Sequence, residues 1–213
     1  MLFRSRAPPI STPGVLVEML RVRRSEGLEP PLILPCDNIP QNGEKLRSAV
    51  VNLAMAMDHE LGGWISDRVT FLSCMVDSIT PATDDDIRDR VSAQLGISDT
   101  WPIQREEFTS WVIKTTEDPR MPALDRVGAV FTRKVEGHEQ AKLRMLNGAH
   151  STLAYLGLAC GYESVACAMA DPWLCVFIDD LMREEIAPSL SPPEGLDLDT
   201  YRGTLIERFT NPG

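Results

Sequence analysis

The chain has 213 residues, 43% of them hydrophobic, and a formal net charge of −10, which is enough apolar material for a real core in one large domain or two small ones. The acidic balance argues against nucleic acid or an anionic membrane as main partner, since either needs a basic patch; the densest basic cluster, Arg21, Arg23 and Arg24, reads as solvated charge near a helix end. Five cysteines, at positions 36, 74, 160, 167 and 175, match neither a disulfide framework nor a zinc-site spacing, and reduced thiols in a cytoplasmic setting fit them best.

Residues 1–13 contain three prolines and no periodicity. No signal-length apolar run comes after them, and no later run approaches the roughly 20 residues of a membrane span. Val15, Leu16, Met19, Leu20 and Val22 form a stripe that predicts a helix over residues 14–25, stopped by Gly27 and Pro30-Pro31. Leu32-Ile33-Leu34 then reads as a short buried strand. Helix followed by strand is the grammar of an α/β sheet, and one strand cannot form such a sheet, so the first 37 residues look like the tail of a larger unit. Residues 35–43 are turn-rich and sit at the carboxyl end of that strand, where α/β sheets bind ligands.

Apolar residues at 46, 49, 50, 53, 54 and 57 predict an amphipathic helix over residues 44–57, with Trp64-Ile65 extending the helical region after a break at Gly62-Gly63. Residues 69–79 are β-rich and carry Asp77 just before Ile79 and Pro81. Thr83, with Asp86 three positions on, predicts a capped helix over residues 84–95 that Gly96 ends. Residues 108–113 and 129–131 are further strand candidates, in a register that the sequence does not reveal. Beyond Val135 the patterning is helical: a stretch around residues 139–150, then 163–170, 172–186 with proline at its first position, and 198–209. The expected fold is mainly α with a small β component.

The stretch from Glu139 to His150 carries the chemistry. At about 100° per residue, Glu139, Lys142, Asn147 and His150 fall within an arc of roughly 140°. Leu146, Leu153 and Gly157 share that arc while Arg144 and Ser151 lie opposite, so the four polar residues are expected on a buried face. Oxidising a secondary alcohol requires a base for the hydroxyl proton, donors for the developing alkoxide and a hydride acceptor. A desolvated lysine can be the base. Asn147 can donate to the alkoxide, and His150 can orient a neighbouring hydroxyl. On spacing alone, a lysine that reaches the surface and an asparagine and histidine satisfied within the core remain an alternative.

Three segments, in order, resemble the mannitol dehydrogenase family, the polyol-specific long-chain dehydrogenase/reductases. Cys36-Asp37-Asn38-Ile39-Pro40 with Asn42-Gly43 is similar to the family's C-D-N-x-P-x-N-G turn. Val69-Thr70-Phe71 through Cys74-Met75-Val76-Asp77, with Ile79 and Pro81, resembles its second signature. Lys142-Leu143-Arg144-Met145-Leu146-Asn147-Gly148-Ala149-His150 resembles its K-L-R-x-L-N-x-x-H signature. The resemblance runs from about Gly14 to the last residue.

The resemblance implies the remnant of a Rossmann α/β domain, residues 1–43, followed by a largely helical catalytic domain, residues 44–213, cut short at its end. It implies Lys142 as general acid/base, Asn147 and Asn38 as oxyanion donors, and His150 as a contact of a substrate hydroxyl. Asp77 and Asn38 would lie where nicotinamide and substrate meet, and Glu139 would open a proton path behind the lysine. Turn formation competes for Asn38 and Asp77, and a simple i, i+3 pairing with Lys142 competes for Glu139. The cofactor implied is NAD or NADP, and the substrate a polyol or hexonate whose secondary alcohol is interconverted with a ketose or ketouronate. No metal is implied, since His59, His138 and His150 form no ligand spacing with carboxylates.

The sequence also departs from the family. Ser78 stands where the second signature has an arginine, which removes a charge that would anchor Asp77 or the cofactor. No G-x-G-x-x-G succeeds a strand. A truncated, inactive remnant or half of a split enzyme is therefore the alternative expectation, with a complementary chain or self-association through uncovered apolar surface as its partner.

Overall fold

The computed structural model describes residues 8–193 and 195–211. Packing divides the chain into two compact units. One takes the residues up to Met75 together with Val112–Val135, and the other takes Val76–Trp111 together with the residues from Glu136 on.

The first unit is built on three helices. Helix α1 (Thr12–Ser25) is capped by the Ser11 hydroxyl, which accepts from the Gly14 amide. Helix α2 (Asn42–Met57) and helix α3 (His59–Arg68) come next. Val17 and Leu20 of α1, Val50 and Ala54 of α2, and Leu61 and Ile65 of α3 share one core with Ile33 and Val69. The expected break at Gly62-Gly63 lies instead at Asp58, whose extended backbone ends α2 and whose carboxylate accepts from the Leu61 amide at 3.1 Å. Gly62 lies inside α3, and its lack of a side chain lets α2 approach closely: a Cβ there would come within 2.6 Å of the Met55 side chain. Replacing the cap, Asp58→Ala, is expected to cost about 1 kcal/mol of stability, read as an earlier urea midpoint with unchanged slope.

The strand expected over residues 32–34 is only a single parallel bridge, Ile33 to Phe71, made by Ile33 N–H to Thr70 O (3.0 Å) and Leu72 N–H to Ile33 O (2.8 Å). Pro31 and Pro35 lack amide hydrogens on either side of it and keep a ladder from extending. Of the β-rich residues 69–79, strand β1 takes Cys74–Asp77. Strands β2 (Ser110–Lys114) and β3 (Val130–Thr132) complete a sheet of order β1-β2-β3. β2 and β3 run parallel, with Val112 opposite Val130 and Lys114 opposite Thr132, so the connection between them must cross over, as parallel strands require.

The second unit is helical apart from the ends of β1 and β2. Helix α4 (Asp85–Leu95) is capped by Asp84, whose carboxylate accepts from the Ile87 amide, rather than by Thr83, whose hydroxyl donates to Pro102 O. Gly96 ends it in the left-handed conformation, at φ 69°. Helix α5 (Val135–Ala141) passes into a π-helical stretch, Lys142–Gly148, and on into helix α6 (Ala149–Ala159). Helix α7 (Val165–Met169) precedes helix α8 (Pro172–Asp180), which runs into a second π-helical stretch, Leu181–Ile186, and helix α9 (Leu198–Thr210) closes the unit. Met145, Leu153, Ile178, Met182 and Leu205 are fully buried at its centre. Among the described residues no helix is long and apolar enough to cross a membrane.

Candidate active site

Lys142 opens the π-helical stretch and is 8% exposed. Its Nζ donates to the Val76 carbonyl at 2.6 Å. Burial holds its pKa below that of an ordinary lysine; the Asp77 carboxylate opposes this shift and the Arg208 guanidinium adds to it.

The expected polar face is only partly realised. Lys142 is buried and Glu139 half-buried, but Asn147 and His150 are exposed. The helix type differs from the expected one as well. A π-helix closed by i→i+5 bonds turns roughly 80° per residue rather than 100°, so seven such residues rotate α6 by about a third of a turn relative to α5. The same register places Asn147, five residues after Lys142, about one turn further along nearly the same face. The His150 ring lies 6.2 Å from the Phe209 ring, tilted by 50°. His138, one α-helical turn before Lys142, is also buried; its Nε2 has no hydrogen-bond partner, and burial lowers its pKa.

Asp77 is buried and engaged. Arg208 of α9 donates to both its oxygens, at 2.9 and 3.0 Å, and also to Glu106, at 2.7 and 3.1 Å. Burial works against the Arg208 charge, but its hydrogen bonds to Asp77 and Glu106, with their charges, outweigh it and raise the Arg208 pKa. Burial and the Asp77 charge push the Tyr201 phenol well up. Reading the sequence misses Arg208 and Glu106. A signal exists for the first: Tyr201, Leu205 and Arg208 recur at helical spacing, so an arginine stands in the apolar stripe of α9.

Asn38 belongs to the other compact unit and is exposed in the bend before α2. That bend is tied down by Asn42, whose Nδ2 donates to Asp37 O (3.1 Å) and Cys74 O (2.8 Å), and whose Oδ1 accepts from the Gly43 and Cys74 amides. The Cys36 and Cys74 thiols lie 4.0 Å apart, and burial, helped by Cys74, pushes Cys36 up to about 11, so it stays a thiol at neutral pH.

Two family models match in tandem: the mannitol dehydrogenase Rossmann domain over residues 7–125 and the mannitol dehydrogenase C-terminal domain over residues 134–213. The chain belongs to the mannitol dehydrogenase family. D-mannonate oxidoreductase of Escherichia coli K12 is 45% identical over 204 residues, which are 96% of this chain and 42% of that protein. Among solved structures, a D-sorbitol dehydrogenase in substrate-free form superposes with a TM-score of 0.87 at 34% identity, covering 95% of this chain and 42% of that one. Pseudomonas fluorescens mannitol 2-dehydrogenase, in a ternary complex with NAD and D-mannitol, does so at 0.81 and 36%, covering 95% and 41%. This mannitol dehydrogenase family chain thus spans about two fifths of the length of the relatives it matches. As in those neighbours, Rossmann-type elements precede a helical part.

Proposed function

We propose that this chain carries the catalytic lysine of a cytoplasmic NAD(P)-dependent oxidoreductase that interconverts the secondary alcohol of a polyol or hexonate with the corresponding ketose or ketouronate. The observation that carries the reading is Lys142, a buried lysine held on a backbone carbonyl with its ammonium form disfavoured, within a chain of the mannitol dehydrogenase family.

In the oxidising direction neutral Lys142 takes the hydroxyl proton, and in the reducing direction its ammonium form returns it. Asn147, one π-turn on, donates to the oxygen as charge develops there, the role that the resemblance implies for Asn38 as well. His150 binds a neighbouring hydroxyl, and Glu139 passes the proton outward. NAD(P), when bound, supplies the hydride acceptor or donor. Of the residues proposed to meet it, exposed Asn38 at the carboxyl end of the Ile33 bridge fits such a contact. Asp77 fits less directly, since its carboxylate is buried and taken by Arg208.

A chimera tests the reading. This chain would replace the matched residues of the E. coli D-mannonate oxidoreductase, and D-mannonate, D-mannitol and D-sorbitol would be offered with NAD or NADP while nicotinamide absorbance is monitored. Turnover of at least one substrate is expected; a folded chimera inert to all three would sink the reading.

Self-association through exposed apolar side chains such as Tyr155, Leu158, Trp173 and Phe177 is part of the same proposal. A clean monomer at high concentration would remove it.

A further inference from the structure

We propose that Arg208 is a positioning residue for Lys142: by clamping Asp77 and Glu106 it fixes the end of β1 that presents the Val76 carbonyl to the lysine, and it keeps the Asp77 charge from holding the lysine protonated. The proposal rests on Lys142 being the acid/base.

The geometry is specific. Val76, which accepts from Lys142 Nζ at 2.6 Å, directly precedes Asp77. Arg208 grips Asp77 through two donors in the fork arrangement that fixes a carboxylate most firmly. The next ties lie two residues on. Glu106 Oε1 accepts from the Ile79 amide at 2.6 Å, Glu106 N–H donates to Ile79 O at 3.1 Å, and Arg208 joins that carboxylate as well. The segment from Val76 to Ile79 is thereby held through one guanidinium, which itself lies 4.2 Å from the centre of the Phe108 ring. The side chains of Arg208, Asp77 and Glu106 are 5%, 4% and 11% exposed, so solvent screens them little.

Ser78, between the two clamped residues, supplies nothing to this network: its hydroxyl is buried without a hydrogen-bond partner. The positive charge against Asp77 comes instead from α9, 131 residues further along. Two carboxylates and one guanidinium leave one negative charge, which a protonated Lys142 neutralises and a neutral one does not. Without Arg208 the lysine would face an unpaired Asp77 carboxylate and remain an ammonium to higher pH. Tyr201 of α9 senses the same Asp77 and Arg208 charges, and Glu139 and buried His138 precede the lysine on its own helix.

The chain has four lysines, at positions 45, 114, 134 and 142, so Nζ titration is readable by NMR on the full chain labelled with 13Cε-lysine, each signal assigned by a Lys→Arg variant. Arg208→Gln is expected to raise the Lys142 midpoint by about one pH unit or more. Arg208→Lys, which keeps the charge, should bring it back towards wild type. The double variant Asp77→Asn/Arg208→Gln should return it to wild type or below, because the carboxylate freed by the first change is then neutral. An unchanged midpoint in Arg208→Gln overturns the proposal. So does a rise that Asp77→Asn fails to reverse, since that is the signature of a loosened fold exposing the lysine. Failure of the acid/base reading looks different: these shifts would be in place, yet Lys142→Met in the chimera would be as active as its parent.

Discussion

Lys142→Met is expected to lower turnover of the chimera by about 10²–10⁴-fold, the usual contribution of a positioned acid/base, while leaving the fold at least as stable as before. The two effects separate because the lysine is buried and its charge is disfavoured there. A methionine of similar reach fills the same space without a charge to desolvate. In the parent chimera the rate of alcohol oxidation should climb with pH to a midpoint below 10.5, and the rate of ketone reduction should fall through the same midpoint, because the first needs neutral lysine and the second its ammonium form. Stability should track the same group. The folded-state pKa lies below the unfolded value, so between the two the unfolded chain holds more protons and stability rises with pH. That gain is complete above 10.5 and is lost as pH falls through the lowered midpoint. Lys142→Met lacks the dependence, and its advantage in urea melts should be largest at neutral pH and shrink as pH rises. A variant that keeps the parental rate would remove Lys142 from the chemistry.

The sequence makes legible what depends on local periodicity and on short motifs. The stripes of α1, α2 and α9 are plain because burial of one helical face imposes its own spacing on Val17 and Leu20, Val50 and Ala54, and Leu205 and Phe209. What depends on distant partners is hidden. Leu32-Ile33-Leu34 has the composition of a strand, but the prolines on either side leave it one bridge. The sharing of the chain between two compact units is equally unreadable, because the chain crosses from one to the other inside β1 and again inside β2, and the pairing of those strands has no local mark. At the site, the lysine could be singled out as buried, but Asn147 and His150 could not be placed: their positions hinge on a seven-residue π-helical stretch that 3.6-residue periodicity does not anticipate. Ser78 is visible where the resemblance leads one to expect an arginine, but the clamp on Asp77 is not, since nothing near Asp77 in sequence points to Arg208.

Gly43→Ala is expected to destabilise the first compact unit by about 3 kcal/mol, the upper range for overpacking a tight contact, because the added Cβ would sit 2.2 Å from the Leu72 carbonyl oxygen and 2.7 Å from the Ser73 hydroxyl. The obstacle is backbone, which cannot swing aside as a side-chain tip would. Asn42, its neighbour, is 1% exposed and holds the Cys74 amide and carbonyl as well as the Asp37 carbonyl, so Asn42→Ala should cost about 2 kcal/mol by leaving buried groups without a partner. These two residues therefore give a structural reason for the Asn-Gly of the first motif. The glycine lets the start of α2 touch the chain leading into β1, and the asparagine pins the bend containing Asn38 to β1. Gly63→Ala is the matched control, since nothing lies within 4 Å of its Cβ and alanine suits a helix interior better. It should stabilise α3 by about 0.5–1 kcal/mol. Urea midpoints of the three variants decide the matter: if Gly43→Ala and Gly63→Ala shift together, the close approach of α2 to Leu72 is not what the glycine is for.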